Sequence, residues 1–143
     1  MTRIGILGGT FDPPHIAHLI MADQARSQLK LSHVLFVPAG QPPHKLDRPV
    51  SPVEHRVTMT QLAIAGEARF ALSRVDVDRP GPHYTADMLA LIHTLHPNDK
   101  LYLMIGVPGE EEADLREGID LCGELAALLP LTLTVSPFVP KPR

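Results

Sequence analysis

The chain has no tryptophan, only two tyrosines and four phenylalanines, and a single cysteine, Cys122. One thiol excludes an internal disulfide and suits a reducing setting. Positive charge is also scarce: 13 lysines and arginines stand against 16 acidic residues, a formal net charge of -3. A broad basic surface of the kind that nucleic-acid backbones demand is therefore not expected. Long hydrophobic runs are missing too. The longest apolar tract, Leu125 to Val135, is too short for a bilayer and is broken by Pro130. The first residues lack a basic start followed by an apolar segment, as a secretory leader would require. The expectation is a cytoplasmic chain with no membrane span and no nucleic-acid partner. No internal repeat or low-complexity segment is visible.

What is abundant is aliphatic surface in short blocks, cut by 15 prolines and 10 glycines. With 143 residues and 44% hydrophobic composition, one core and one domain spanning 1–143 are expected. Arg3 to Leu7 reads as a buried strand ended by a Gly8-Gly9 turn, and residues 15 to 30 place Ile16, Leu19, Ile20, Ala22, Ala25 and Leu29 at helical spacing. His33 to Val37 reads as a second strand, leading into a proline-rich loop from Pro38 to Pro49. Ser51-Pro52-Val53-Glu54 has the pattern of a capping box with proline at the first helical position, ahead of Val53, Val57 and Ile64. Phe70 to Val77 reads as a strand, Asp78 to Pro82 as a turn, and Thr85 as the cap of a helix with Met88, Leu91, Ile92 and Leu95 on one face. Leu101 to Ile105 is the next strand, ending at Gly106. Beyond it the pattern weakens: 119–129 suits a helix, 131–135 a strand, 137–143 an extended tail. Strands alternating with helices predict an α/β fold, a mostly parallel sheet with helices on both faces.

Chemistry concentrates in Gly8-Gly9-Thr10-Phe11-Asp12-Pro13-Pro14-His15-Ile16-Ala17-His18. In an open parallel sheet, ligands collect where the first strand-to-helix loop meets a helix N-terminus. Glycines there admit close backbone approach, and exposed N–H groups with the helix dipole favour an anion such as phosphate. A Gly-Gly pair is equally compatible with a simple tight turn, and the spacings of a P-loop and of a dinucleotide fingerprint are both absent. His15 and His18, three apart, lie on one side of a helix start and can reach one ligand together. They can donate to phosphate oxygens, and in cationic form offset charge; the alternative is that they cap the helix or face solvent. Zinc is disfavoured, since no cysteine lies nearby and a third ligand is lacking.

This stretch resembles the signature of the nucleotidyltransferase superfamily with a "HIGH" type motif, here His15-Ile16-Ala17-His18. Pro42-Pro43-His44-Lys45, Arg56 in the next helix, and Gly81-Pro82-His83-Tyr84-Thr85 narrow the resemblance to bacterial nicotinate mononucleotide adenylyltransferases, over about residue 3 to Gly106. The resemblance implies a Rossmann-like nucleotidyltransferase fold and transfer of AMP from ATP to nicotinate mononucleotide, giving deamido-NAD and pyrophosphate in NAD biosynthesis. It implies that Gly8, Gly9, Thr10, Phe11 and Gly106 line the ATP site, with His15 and His18 on the phosphates as the catalytic pair. It implies a mononucleotide site of His44, Lys45, Tyr84, Thr85 and Arg56, and Mg2+ accompanying ATP with no dedicated protein ligands. Taken alone, Lys45 reads as a solvated loop lysine, Tyr84 and Thr85 as packing and capping groups, and Arg56 as either a substrate-loop contact or a helix-surface cation.

After Gly106 the pattern departs from the family: Val107-Pro108-Gly109 stands where the family carries an aspartate, the family's tryptophan is absent, and no Ser/Thr-rich motif leads to an arginine near Arg143. Residues 107–143 are thus expected to be divergent or truncated. Two rival functions follow, an adenylyltransferase for another phosphorylated acceptor such as phosphopantetheine, and a nucleotide-binding protein without catalysis. A homo-oligomer is compatible with the sequence and not required by it.

Overall fold

The computed structural model describes residues 1–41, 49–81 and 85–104, together with 116, 119, 120, 122–124, 126 and 127. Among these residues four strands form one sheet: β1 (Arg3–Gly9), β2 (His33–Pro38), β3 (Phe70–Leu72) and β4 (Lys100–Leu103). Between them run α1 (Ile16–Gln28), α2 (Val53–Ile64) and α3 (Thr85–Leu95). Every pairing is parallel and the spatial order is β3-β2-β1-β4. The chain therefore walks outward from β1 through β2 to β3, and β4 then pairs on the other side of β1. That reversal places a crevice at the carboxyl end of β1, beside β4.

The period-two alternation of a strand divides the core into two layers. On one face Leu7, Val34 and Phe36 pack with Met21 and Ala22 of α1 and Ile64 of α2. On the other, Ile6 and Val37 pack with Met88, Leu89 and Ile92 of α3. The expected parallel α/β architecture with both faces covered is what forms. Its buried strands are continuous aliphatic runs, because neither face meets water.

Several local expectations are corrected. Gly8 and Gly9 are the last residues of β1, in register with Val37 and Pro38, so the strand runs through them and the turn begins at Thr10. The strand expected over Phe70–Val77 stops at Leu72, where Ser73 N–H still reaches Phe36 O at 2.9 Å. Beyond it the chain turns, Asp78 N–H donating to Arg74 O at 2.9 Å. Helix α2 starts one residue late: Pro52 is its N-cap, and Glu54 spends its carboxylate on Arg74 at 2.7 Å instead of on a capping box. Thr85 is the first helical residue of α3 and is not its cap. The buried faces are also rotated from the expected ones. Ile16 is 68% exposed while Met21 is buried, and Leu89 replaces Leu91 and Leu95 in the interior. Positions 119, 120, 122–124, 126 and 127 are helical, in keeping with a helix over 119–129, whereas the strand 131–135 and the tail lie outside the described residues.

Candidate functional site

The loop from Thr10 to Pro14 leaves β1 at the crevice and delivers His15 as the N-cap of α1. The His15 backbone N–H donates to Nδ1 of His18 at 3.1 Å. The two imidazoles lie side by side, with centroids 4.0 Å apart and planes tilted by 35°. Because Nδ1 of His18 accepts this bond, a neutral ring must carry its proton on Nε2. Burial, and secondarily the neighbouring His15, lower the His18 pKa to about 4. The cationic form expected from sequence is thus disfavoured at neutral pH for His18, which presents a neutral N–H donor. The pair caps the start of α1, as one of the readings from sequence had it, and its two rings stand together there.

Phe11 supports this pair. Its ring meets His18 edge-on at 5.1 Å and Phe36 at 5.8 Å. At 2% exposure its side chain belongs to the core and stands as a prop behind His18. Its backbone sits at φ 51, a left-handed conformation costly for a bulky residue. A Cβ on Gly9 would come within 3.3 Å of that ring, so glycine is what admits the Phe11 side chain at this point.

Arg56 is neither a helix-surface cation nor poised as a free one. It is 2% exposed, and its guanidinium donates to Ser51 O at 3.0 Å, Thr10 O at 2.9 Å, Ala39 O at 2.7 Å and Gly40 O at 2.9 Å. Burial lowers its pKa and the nearby Asp12 charge raises it, without threatening the charge of a guanidinium. Asp12 in turn accepts from Ser51 N–H at 2.8 Å. The loops after β1 and β2 and the entry to α2 are thereby tied into one corner. Thr85 stands exposed at the head of α3. His44, Lys45, Tyr84 and Gly106 lie outside the described residues.

Residues 6–131 match the model of the family described as cytidylyltransferase-like. The chain belongs to the cytidylyltransferase-like family. Among curated relatives, a probable nicotinate-nucleotide adenylyltransferase of Thermomicrobium roseum is 53% identical over 106 residues, covering 74% of this chain and 50% of the relative. One from Saccharopolyspora erythraea is 45% identical over 130 residues, covering 91% of this chain and 61% of the relative. The chain thus spans about half to three fifths of the length of these relatives. Among solved structures, Plasmodium falciparum nicotinic acid mononucleotide adenylyltransferase complexed with NaAD superposes with a TM-score of 0.60 at 24% identity, covering 72% of this chain and 51% of that one. This likeness supports the α/β nucleotidyltransferase fold.

For this cytidylyltransferase-like chain, sequence reasoning missed three contributors to the corner: Asp12, Asp76 and Arg79. Asp76 is 5% exposed and accepts from Gly40 N–H at 2.8 Å and from Arg79 at 2.6 Å. Only the short spacing of Asp76 and Arg79 hinted at a pair, and an i,i+3 Asp-Arg spacing is common on any surface. A recess of about 370 Å3 between α1, α2 and β3, lined by Leu19, Ala63 and Phe70 among others, contains neither histidine and forms no part of this site. No helix among the described residues is long and apolar enough to cross a membrane.

Proposed function

We propose that this chain carries the nucleotide-transfer site of a nicotinate mononucleotide adenylyltransferase, and that His15 and His18 hold the triphosphate of ATP. The observation that supports it most is the imidazole pair at the start of α1, at the carboxyl end of β1, with the Nε2 proton of His18 fixed by the His15 amide. The names of the adenylyltransferase relatives support the same reading.

In the reaction a phosphate oxygen of the mononucleotide attacks the α-phosphorus of ATP, the bond from that phosphorus to the β-bridging oxygen breaks, and pyrophosphate leaves. No protein nucleophile is needed. Such a displacement is accelerated by alignment and by donors aimed at the equatorial oxygens as charge shifts onto them. A neutral His18 supplies one such donor without the reorganisation that an exposed cation would need. Gly8 and Gly9 close β1 and Thr10 opens the loop that delivers the pair, so their backbone is proposed for the phosphate side of the site. His44, Lys45, Tyr84 and Thr85 are proposed for the acceptor. Among the described residues no three imidazole, thiol or carboxylate groups gather as metal ligands. A divalent ion, proposed as Mg2+, would be held through triphosphate oxygens and water, where it would neutralise charge on the leaving pyrophosphate.

The test is pyrophosphate release by the purified chain with Mg-ATP and nicotinate mononucleotide. Release is expected. Release with phosphopantetheine alone would transfer the reading to that acceptor, and ATP binding without release from either would reduce it to nucleotide binding.

A further inference from the structure

One peptide group in the corner is gripped from both sides by buried charges. The Ala39 carbonyl accepts from Arg56 Nη1 at 2.7 Å, while the Gly40 N–H of the same peptide donates to Asp76 Oδ2 at 2.8 Å. Arg56 Nη2 also takes Gly40 O at 2.9 Å, and Nη1 reaches across to Thr10 O at 2.9 Å. Asp76 is itself held, its Oδ1 accepting from Arg79 Nε at 2.9 Å and Nη2 at 2.6 Å. A buried charge is retained only when its hydrogen-bonding capacity is met, and here a peptide plane and a second charged side chain meet it. Asp76 lies after β3 and Arg56 in α2, so elements far apart in sequence converge on the first two residues beyond β2.

We propose that Arg56 and Asp76 are positioning residues: together they fix the Ala39–Gly40 peptide relative to the Thr10 loop, and so anchor the point in the chain from which the segment carrying the acceptor residues proposed above continues. This rests on the function proposed above. The two residues differ in reach. Arg56 touches both the Thr10 loop and the Ala39–Gly40 segment, whereas the Asp76 carboxylate, among the described residues, bonds Gly40 and Arg79. Asp76 needs both oxygens as acceptors, one for each donor. Asparagine offers one, and must turn its amide nitrogen toward a donor.

Steady-state kinetics of pyrophosphate release test this in the whole chain. Asp76→Asn is expected to raise KM for nicotinate mononucleotide about tenfold, with kcat and the KM for ATP changed by less than about threefold. Asp76→Glu, which keeps two acceptor oxygens, should recover most of that loss, and Arg56→Lys should raise both KM values. Equal rises in the two KM values for Asp76→Asn, a fall in kcat alone, or no change would overturn the proposal. If Asp76→Asn does not fold, Arg79→Gln, which frees the same carboxylate, is read by the same criteria. If the wild-type chain releases no pyrophosphate, the function fails, and the brace is read separately from hydrogen exchange at the Gly40 amide. Protection in the wild type that drops about tenfold or more in Asp76→Asn supports it; an unprotected Gly40 amide in the wild type overturns it.

Discussion

The His15 main-chain N–H and the His18 ring are joined by a 3.1 Å hydrogen bond that decides which nitrogen of His18 faces outward. The bond comes from backbone, so the His15 side chain can be removed without releasing the His18 tautomer. In a chain competent for pyrophosphate release, His18→Ala should lower kcat about a hundredfold, the scale for loss of one positioned donor. His15→Ala should cost less, since the amide that orders His18 survives. Unchanged turnover in His18→Ala would leave the pair as a helix cap only.

Proton linkage at His18 gives a pH prediction. The folded pKa of about 4 lies below the ordinary histidine value of 6.5. Between these values the unfolded chain binds a proton that the folded chain refuses, so unfolding takes up protons and is favoured by acid. The His18 contribution should be fully present above pH 6.5 and decline as pH falls toward 4. Chemical denaturation of wild type and His18→Gln across this window checks it, the variant showing the shallower decline. Bound triphosphate reverses the electrostatics, since an adjacent anion favours the imidazolium. ATP binding near pH 5 should therefore be accompanied by proton uptake, measurable by titration calorimetry in buffers of differing ionisation enthalpy.

Two arginines with several bonds each should behave oppositely. Arg56 is buried and satisfies four carbonyls; Arg74 pairs with Glu54 and Asp78 on the exposed surface. Replacing Arg56 by Met strands those carbonyls and should lower stability by about 3 kcal/mol. Replacing Arg74 by Met should leave the denaturation midpoint almost where it was, because solvent already screens its partners.

Phe11 offers a third contrast. Phe11→Ala should cost about 3 kcal/mol or more, the range for emptying an aromatic core position, and should broaden the His18 ring resonances as its edge contact disappears. Gly9→Ala should reach the same ring by pressure, costing about 1 kcal/mol as the Phe11 side chain shifts. Thermal melts with proton spectra of the histidine rings measure both.

Much of this was legible in the residue pattern, and the reasons are local. Apolar runs at 4–7 and 33–37 had to be strands buried on both faces, and the histidine pair after two prolines had to sit at a helix start. What escaped was decided by distant partners. The 70–77 segment alternates like a strand, yet Asp76 is claimed by Gly40 and Arg74 by Glu54, and the chain bends to meet them. Ser51 has cap chemistry, but its amide is taken by Asp12 and its carbonyl by Arg56. Arg56 itself read as either a substrate-loop contact or a helix-surface cation, because no spacing rule announces a guanidinium that turns inward to collect carbonyls from three loops.

A guanidinium that reads only main-chain oxygens is blind to the side chains it binds beneath. Thr10, Ala39, Gly40 and Ser51 supply carbonyls that other amino acids would supply equally well, within the limits of bulk. As far as folding goes, mutational tolerance around this corner should therefore be lopsided, with the four acceptor positions open to exchange and the single donor position closed.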